Sequence, residues 1–251
     1  MPRLIAAGES HKGCVRADNE DSFCLVSLQP DYLLAVVADG VGGYSGGEEA
    51  SYLCCHRLLM DWKELFKRNA QPSDALLSRF AVESICRANS DIYRANLERK
   101  YREFMCTTVA MAVFSPQMVI VSHAGDSRVY CLHNHHCRQL TVDHTVQNYL
   151  TEQGIINDTN NPGAHVISKA VGAVRTVKPE IHTYFRSPED RYMLCTDGLS
   201  NTWRMSDISH NLNSSASPRS ATDRFIKGSL RRGAGDNVTV VCVFPENTAC
   251  K

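Results

Sequence analysis

The chain has 251 residues, 43% of them hydrophobic, which is enough to bury a substantial core, and no shift in composition marks a boundary, so residues 1–251 are expected to form one domain. Its 27 Lys and Arg balance 27 Asp and Glu, so no global positive field would hold it on nucleic acid or an anionic membrane, and recognition should be local. Apolar runs such as Leu33 to Ala38 fall far short of the roughly 20 residues of a membrane span; the start MPRLIAAGES lacks a charged-then-apolar leader, and the cysteines sit inside apolar stretches, which reads as a reduced cytoplasmic protein.

In chain order, a short N-terminal strand is followed by apolar runs at Phe23 to Leu28 and Tyr32 to Ala38, split by a Gln-Pro-Asp turn. They read as a hairpin whose second strand ends at Asp39-Gly40. Between Gly46 and Lys67, Ala50, Leu53, Cys54, Leu58, Trp62, Leu65 and Phe66 recur at helical spacing, and Glu48 and Glu49 sit where the helix dipole favours negative charge. A second helix should begin near Ser73-Asp74 and carry Leu77, Phe80, Ala81, Ile85, Ala88 and Ile92 on one stripe.

Strand signals return at Thr107 to Phe114, Met118 to Ala124 and Val129 to Leu132, as in an antiparallel meander turning at Gly125-Asp126-Ser127. From Asp143 to about Gly172 the pattern breaks around Asn160-Asn161-Pro162-Gly163, which suits a surface flap. Tyr192 to Cys195 and Val238 to Phe244 read as buried strands, and Asn211 to Pro218 as a short polar stretch. The expected fold class is α+β: a four-layer α-β-β-α sandwich, two antiparallel sheets face to face with helices outside.

Acidic residues recur beside these strands, in Asn19-Glu20-Asp21, Asp39-Gly40, Gly125-Asp126, Asp197-Gly198 and Asp236-Asn237. Any one Asp-Gly is most simply a turn. Together they can converge at one edge of a sandwich, where several like charges are unfavourable unless cations neutralise them. Oxygen donors without a His or Cys pair at metal spacing select Mg²⁺ or Mn²⁺ over zinc or copper. Two such ions about 4 Å apart can activate a water and clamp the oxygens of an in-line displacement at phosphorus. Phosphate-ester hydrolysis is the leading chemistry.

Five strings, RADNEDSF, VADGVGG, AGDSRVY, LCTDGLS and GDNVTVV, fall in the order and spacing of the PPM, or type 2C, metal-dependent protein phosphatases, and the resemblance covers nearly the whole chain. It implies hydrolysis of phosphoserine and phosphothreonine in proteins by a hydroxide bridging two Mn²⁺ or Mg²⁺ ions. Asp39 resembles the carboxylate shared by both ions and Gly40 the residue whose carbonyl joins the second. Asp197 and Asp236 look like ligands of the first ion. Glu20 matches the acidic residue of the second ion, with Asp21 orienting its waters and Asn237 supporting alongside. Arg16, whose planar fork suits a phosphate, matches the substrate-holding arginine, so that Arg16 and Asp39 would be the catalytic residues. Asp126 resembles a ligand, shared with Asp197, of a third, weaker ion. Taken singly, Arg16 is also compatible with a surface ion pair and Asp126 with a turn.

The chain departs from the pattern in three places. Val41 stands where many eukaryotic relatives carry a histidine that protonates the leaving oxygen; His165 and His144 are the substitutes at hand. Asn201 replaces an additional aspartate of some relatives, which weakens the third ion, and Cys106 replaces the glycine before Thr107-Thr108. His133, His135, His136 and Cys137 read as an exposed turn, not a zinc site, and Cys195 as a buried strand residue, not a nucleophile. Competing readings are a pseudophosphatase that keeps the fold as a binding module and a partner-switch serine phosphatase; the intact ligand set and the RADNED string disfavour them. The expected partners are phosphoproteins made by a cognate Ser/Thr kinase, with no nucleic acid and no membrane, and the enzyme is expected to be a monomer. The HVISKAVG segment resembles phosphatases of type VI secretion.

Overall fold

In the computed structural model, residues 1–42, 46–98, 104–155 and 166–246 are described. One sheet has the order β1-β11-β10-β7-β8, built from Leu4–His11, Val238–Pro245, Arg191–Cys195, Arg128–His133 and His136–Gln139. The other runs β2-β3-β5-β6-β9, from Asp21–Gln29, Tyr32–Gly42, Val109–Phe114, Met118–Ala124 and Glu180–Phe185, with β4 (Met105–Thr107) pairing to the end of β3. Every ladder is antiparallel.

Strand β3 shows why the layers form. Successive side chains point to opposite faces. Leu33, Ala35 and Val37 enter the core between the sheets with Phe114, Val121, Tyr192, Leu194 and Val241. Leu34, Val36 and Ala38 instead meet Cys54, Leu58 and Trp62 of α1 (Gly46–Arg68) and Ile85 of α2 (Asp74–Glu98). A strand buried on both faces must be apolar at every position, which is why this run carries no alternation. On the far side, Ile208 and Leu212 of α5 (Met205–Ser214) and Phe225 of α6 (Pro218–Arg231) pack on Met193, Val240 and Cys242. The expected four-layer sandwich is thus observed.

Helices α1 and α2 match their stripes, with Leu53, Leu65 and Phe66 only partly buried at the margin, and the Ser73 hydroxyl accepts the Leu76 N–H at 3.3 Å as expected of a cap. Three expectations are corrected. Strand β3 does not end at Asp39-Gly40 but runs on to Gly42, because β4 pairs with Gly40 to Gly42. The predicted meander is broken: β5 and β6 join β3, but β7 lies in the opposite sheet, so Gly125-Asp126-Ser127 is a crossing between sheets and not a hairpin turn. Asn211 to Pro218 is the end of α5 and the start of α6, where Ser217 and Ser220 form a capping box.

Of the flap, residues 143–155, which include α3 (Val146–Glu152), and residues 166–172 are described, tied down by bridges between Thr145 and Ile167 and between Thr107 and Val171. The Asn160-Asn161-Pro162-Gly163 cluster and His165 lie outside the described residues. Among the described residues every cysteine is a free thiol, and no helix is long and apolar enough to cross a membrane.

Candidate active site

The register of the β2/β3 hairpin places Asp21 directly opposite Asp39, a pairing of like charges that costs stability in any ordinary sheet. The Asp39 backbone is fixed from the neighbouring segment: its N–H donates to Thr108 Oγ1 at 3.1 Å, and its C=O accepts the Thr107 hydroxyl and the Thr108 N–H, each at 2.8 Å. One residue on, the Gly40 N–H donates to the Glu20 C=O at 3.1 Å. The chain around Gly40 is so crowded that a β-carbon there would collide with the Gly47 carbonyl, and one on Gly47 would lie 2.7 Å from the Glu20 carboxyl. Glycine is therefore required at both, for close approach of three backbone segments.

The other sheet supplies Asp197, at the end of β10 where α4 (Asp197–Ser200) begins, and Asp236, just before β11. Asp126 sits on the crossing between the two sheets. Acidic groups from both layers thus meet at one end of the sandwich. The Asp39 carboxyl is pushed well above the usual carboxylate range by burial and then by the charges of Asp21, Asp197 and Asp126. Asp197 is raised by burial and by Asp236. Burial, with Asp197 and Asp236 nearby, raises Asp21 to about 7; burial and Asp197 raise Asp126 to about 6. Glu20 is raised as well, chiefly by burial.

The supporting contacts are specific. Thr196 donates its hydroxyl to Asp21 Oδ2 at 2.8 Å, and the Asn201 amide donates to Asp197 Oδ2 at 3.2 Å. The Asn237 side chain accepts the Glu20 N–H at 2.9 Å and donates to the carbonyls of Lys12 and Asp18, so it ties the loop carrying Arg16 and Glu20 to the start of β11. Arg16 lies at the rim, 2.8 Å from Asp236 Oδ2, with both side chains substantially exposed. Sequence reasoning singled out Asp39, Asp197, Asp236, Asp126, Asp21, Glu20, Gly40, Arg16 and Asn237, and the fold gathers them at this end. It overlooked Thr196, although that residue lies within LCTDGLS, and gave the Thr107-Thr108 pair no role; hydroxyls beside acidic residues were the available signal.

The residues fit hard dications. Asp21 Oδ1 and Asp126 Oδ1 are buried without a hydrogen-bond partner among the described residues, and the mutual elevation of the carboxyls is the tension that divalent charge relieves. A different group, His123, His144 and Glu180, also brings three donor atoms close together at the foot of the flap. There the local cation is a lysine: Lys169 Nζ stands 2.9 Å from His144 Nε2. His144 is not poised as a general acid, because its Nδ1 takes the Gly125 N–H and its Nε2 faces Glu180. The Cys195 thiol is fully buried and pushed up by that burial, which rules out a nucleophilic thiolate.

Fold and site together define a protein phosphatase. The chain belongs to the protein phosphatase 2C family, whose sequence profile matches residues 7–234. It is 29% identical to the serine/threonine phosphatase stp of Listeria monocytogenes, over 96% of this chain and 95% of that protein. The catalytic domain of the serine/threonine protein phosphatase PstP in complex with two manganese ions superposes with a TM-score of 0.81, at 31% identity, covering 97% of this chain and 99% of that one. PppA of Pseudomonas aeruginosa, described as a regulatory component of its type VI secretion system, gives a TM-score of 0.81 at 27% identity over 96% and 97% of the two chains.

Proposed function

We propose that this protein removes phosphate from phosphoserine and phosphothreonine in proteins, using two Mn²⁺ or Mg²⁺ ions held by its acidic cluster. The observation that carries the reading is the convergence of Asp39, Asp197, Asp236, Asp126, Asp21 and Glu20 from both sheets, with carboxyls that hold one another's ionisation back. Asp39, Asp197 and Asp236, with Glu20 and the Gly40 carbonyl, would hold the two ions, Asp39 being the carboxylate placed to serve both. Asp126 and Asp197 offer a third, weaker place. The ions, when bound, supply an activated water and neutralise charge on the phosphate oxygens.

The chain's own residues do the rest. Asp21, fixed by the Thr196 hydroxyl, would act as an acceptor beside the second ion and orient what that ion binds. Asn237 sets the height of Glu20 and of the Arg16 loop. Arg16, exposed at the rim, exchanges Asp236 for the substrate phosphate and holds it by two parallel hydrogen bonds.

On this reading residues 1–251 form one catalytic domain that acts as a cytoplasmic monomer. Its substrates are products of a Ser/Thr kinase, and the likeness to PppA favours a pair that regulates type VI secretion. Unchanged phosphorylation of the secretion system's forkhead-associated protein after deletion of this gene would remove that last assignment. The activity is tested on a phosphothreonine peptide with EDTA, Mg²⁺ or Mn²⁺, beside Asp39→Asn and Asp197→Asn. Metal-dependent turnover abolished by both changes is expected; no turnover with either metal would instead make the chain a binding module.

A further inference from the structure

His144 stands at a junction that the two-ion reading does not use. Its backbone N–H donates to the Gly125 C=O at 3.0 Å, and its ring Nδ1 accepts the Gly125 N–H at 3.1 Å. One residue therefore holds both polar groups of Gly125, the residue immediately before Asp126. Gly125 has φ +113°, and a β-carbon there would lie 2.6 Å from Thr108 Cβ, so the crossing between sheets is built on a backbone conformation that needs fixing from outside.

A neutral imidazole carries one proton, so a ring that accepts at Nδ1 carries its hydrogen on Nε2. That nitrogen lies 3.2 Å from Glu180 Oε2, which accepts its hydrogen, and 2.9 Å from Lys169 Nζ, whose charge burial disfavours and from which the ring in this tautomer does not accept. Glu180 Oε1 pairs with His182 Nε2 at 2.6 Å. The His123 ring stacks on His144 at 4.6 Å, itself fixed by the Val142 carbonyl 2.8 Å from its Nε2. Burial, together with His123 and Lys169, holds His144 down to about 4, which keeps the ring neutral and its Nδ1 lone pair available. The flap ends on the same residue, for the Ser168 N–H donates to the His144 C=O at 2.8 Å.

We propose that His144 is a positioning residue for Asp126: the Gly125 N–H at Nδ1 fixes its tautomer, Glu180 takes the Nε2 hydrogen, and its Nδ1 and backbone N–H hold Gly125 so that the Asp126 carboxylate faces the site shared with Asp197. The proposal rests on the reading of Asp126 as the ligand of the weakest ion. It also makes the flap, through Ser168, mechanically continuous with that ligand.

Two conservative variants separate the nitrogens. His144→Asn keeps an acceptor near the Nδ1 position, whereas His144→Gln keeps a donor near Nε2 and loses the acceptor. In metal-free protein, amide exchange of Gly125 followed by nuclear magnetic resonance reads the bond directly; calorimetric titration with Mn²⁺ reads the weakest ion. His144→Gln should expose the Gly125 amide to exchange and weaken the Asp126-dependent ion about 10- to 100-fold, the usual effect of losing a residue that orients a ligand. His144→Asn should restore most of both, and Asp126→Asn should abolish the weak ion.

If Asp126→Asn loses that ion while His144→Gln titrates like the wild type, the positioning role is overturned. Equal damage from Asn and Gln would also overturn it, since packing and not the acceptor would then matter. An unchanged weak ion in Asp126→Asn removes the ligand reading and the proposal with it, whereas the Gly125 exchange result stands apart from both. Should His144→Gln fail to fold, Glu180→Ala must weaken the same ion, and no loss there overturns the proposal.

Discussion

Replacing Asp21 by Asn should stabilise the metal-free protein more at pH 8 than at pH 5. Asp21 is 7% exposed, and burial with Asp197 and Asp236 nearby raises it from 3.8 to about 7. A carboxyl whose folded pKa exceeds its unfolded one keeps a proton that the unfolded chain has already released, so stability falls as pH rises from about 4 to about 7 and is flat above. Between pH 5 and pH 8 that is roughly two pH units, or about 3 kcal/mol at 1.36 kcal/mol per unit, an upper value because Asp21 shares its neighbours with Asp39 and Asp197. His123 and His144 act in the opposite sense, since burial lowers both and their stabilisation grows as pH rises toward 6.5. The raw pH profile therefore mixes two slopes, and the difference between wild type and Asp21→Asn cancels the histidine part. Urea unfolding in EDTA at the two pH values gives that difference. An equal effect of the substitution at pH 5 and pH 8 would refute the reasoning.

Arg16→Ala should raise KM for a phosphothreonine peptide more than it lowers kcat, because a hydrogen bond to a charged group contributes about 1.5–3 kcal/mol, or roughly 10- to 100-fold in kcat/KM. Arg16→Lys should recover only part of it, lacking the planar fork, and initial-rate kinetics with both variants checks this. Gly47→Ala drives a methyl to within 2.7 Å of the Glu20 carboxyl and 2.8 Å of the Gly40 carbonyl carbon, so both donors of the second ion must shift, and calorimetry should show its binding weakened by at least about tenfold.

Much of this was legible in the sequence, and the parts that were not have physical reasons. Strand β3 and helices α1 and α2 announce themselves because each buries a continuous or periodic apolar surface. Helix α6 escaped because its buried positions include Thr222, Gly228 and Ser229, which carry little hydrophobic signal. The crossing at Gly125 looked like a hairpin turn because a glycine at positive φ serves either purpose, and only the pairing of β7 with β10 tells them apart. The acidic residues were found by their recurrence at strand ends, but their convergence depends on which sheet each strand joins. The partners of Thr196 and Asn237, and the role of His144, depend on contacts with residues distant in sequence, which no local pattern encodes.

The most direct test of the account is a crystal soaked in Mn²⁺ and recorded for anomalous scattering. Two peaks about 4 Å apart, with Asp39 reaching both, Asp197 and Asp236 at the first and Glu20 with the Gly40 carbonyl at the second, are predicted. Full-occupancy manganese at His123, His144 and Glu180 with none at Asp39 would contradict it.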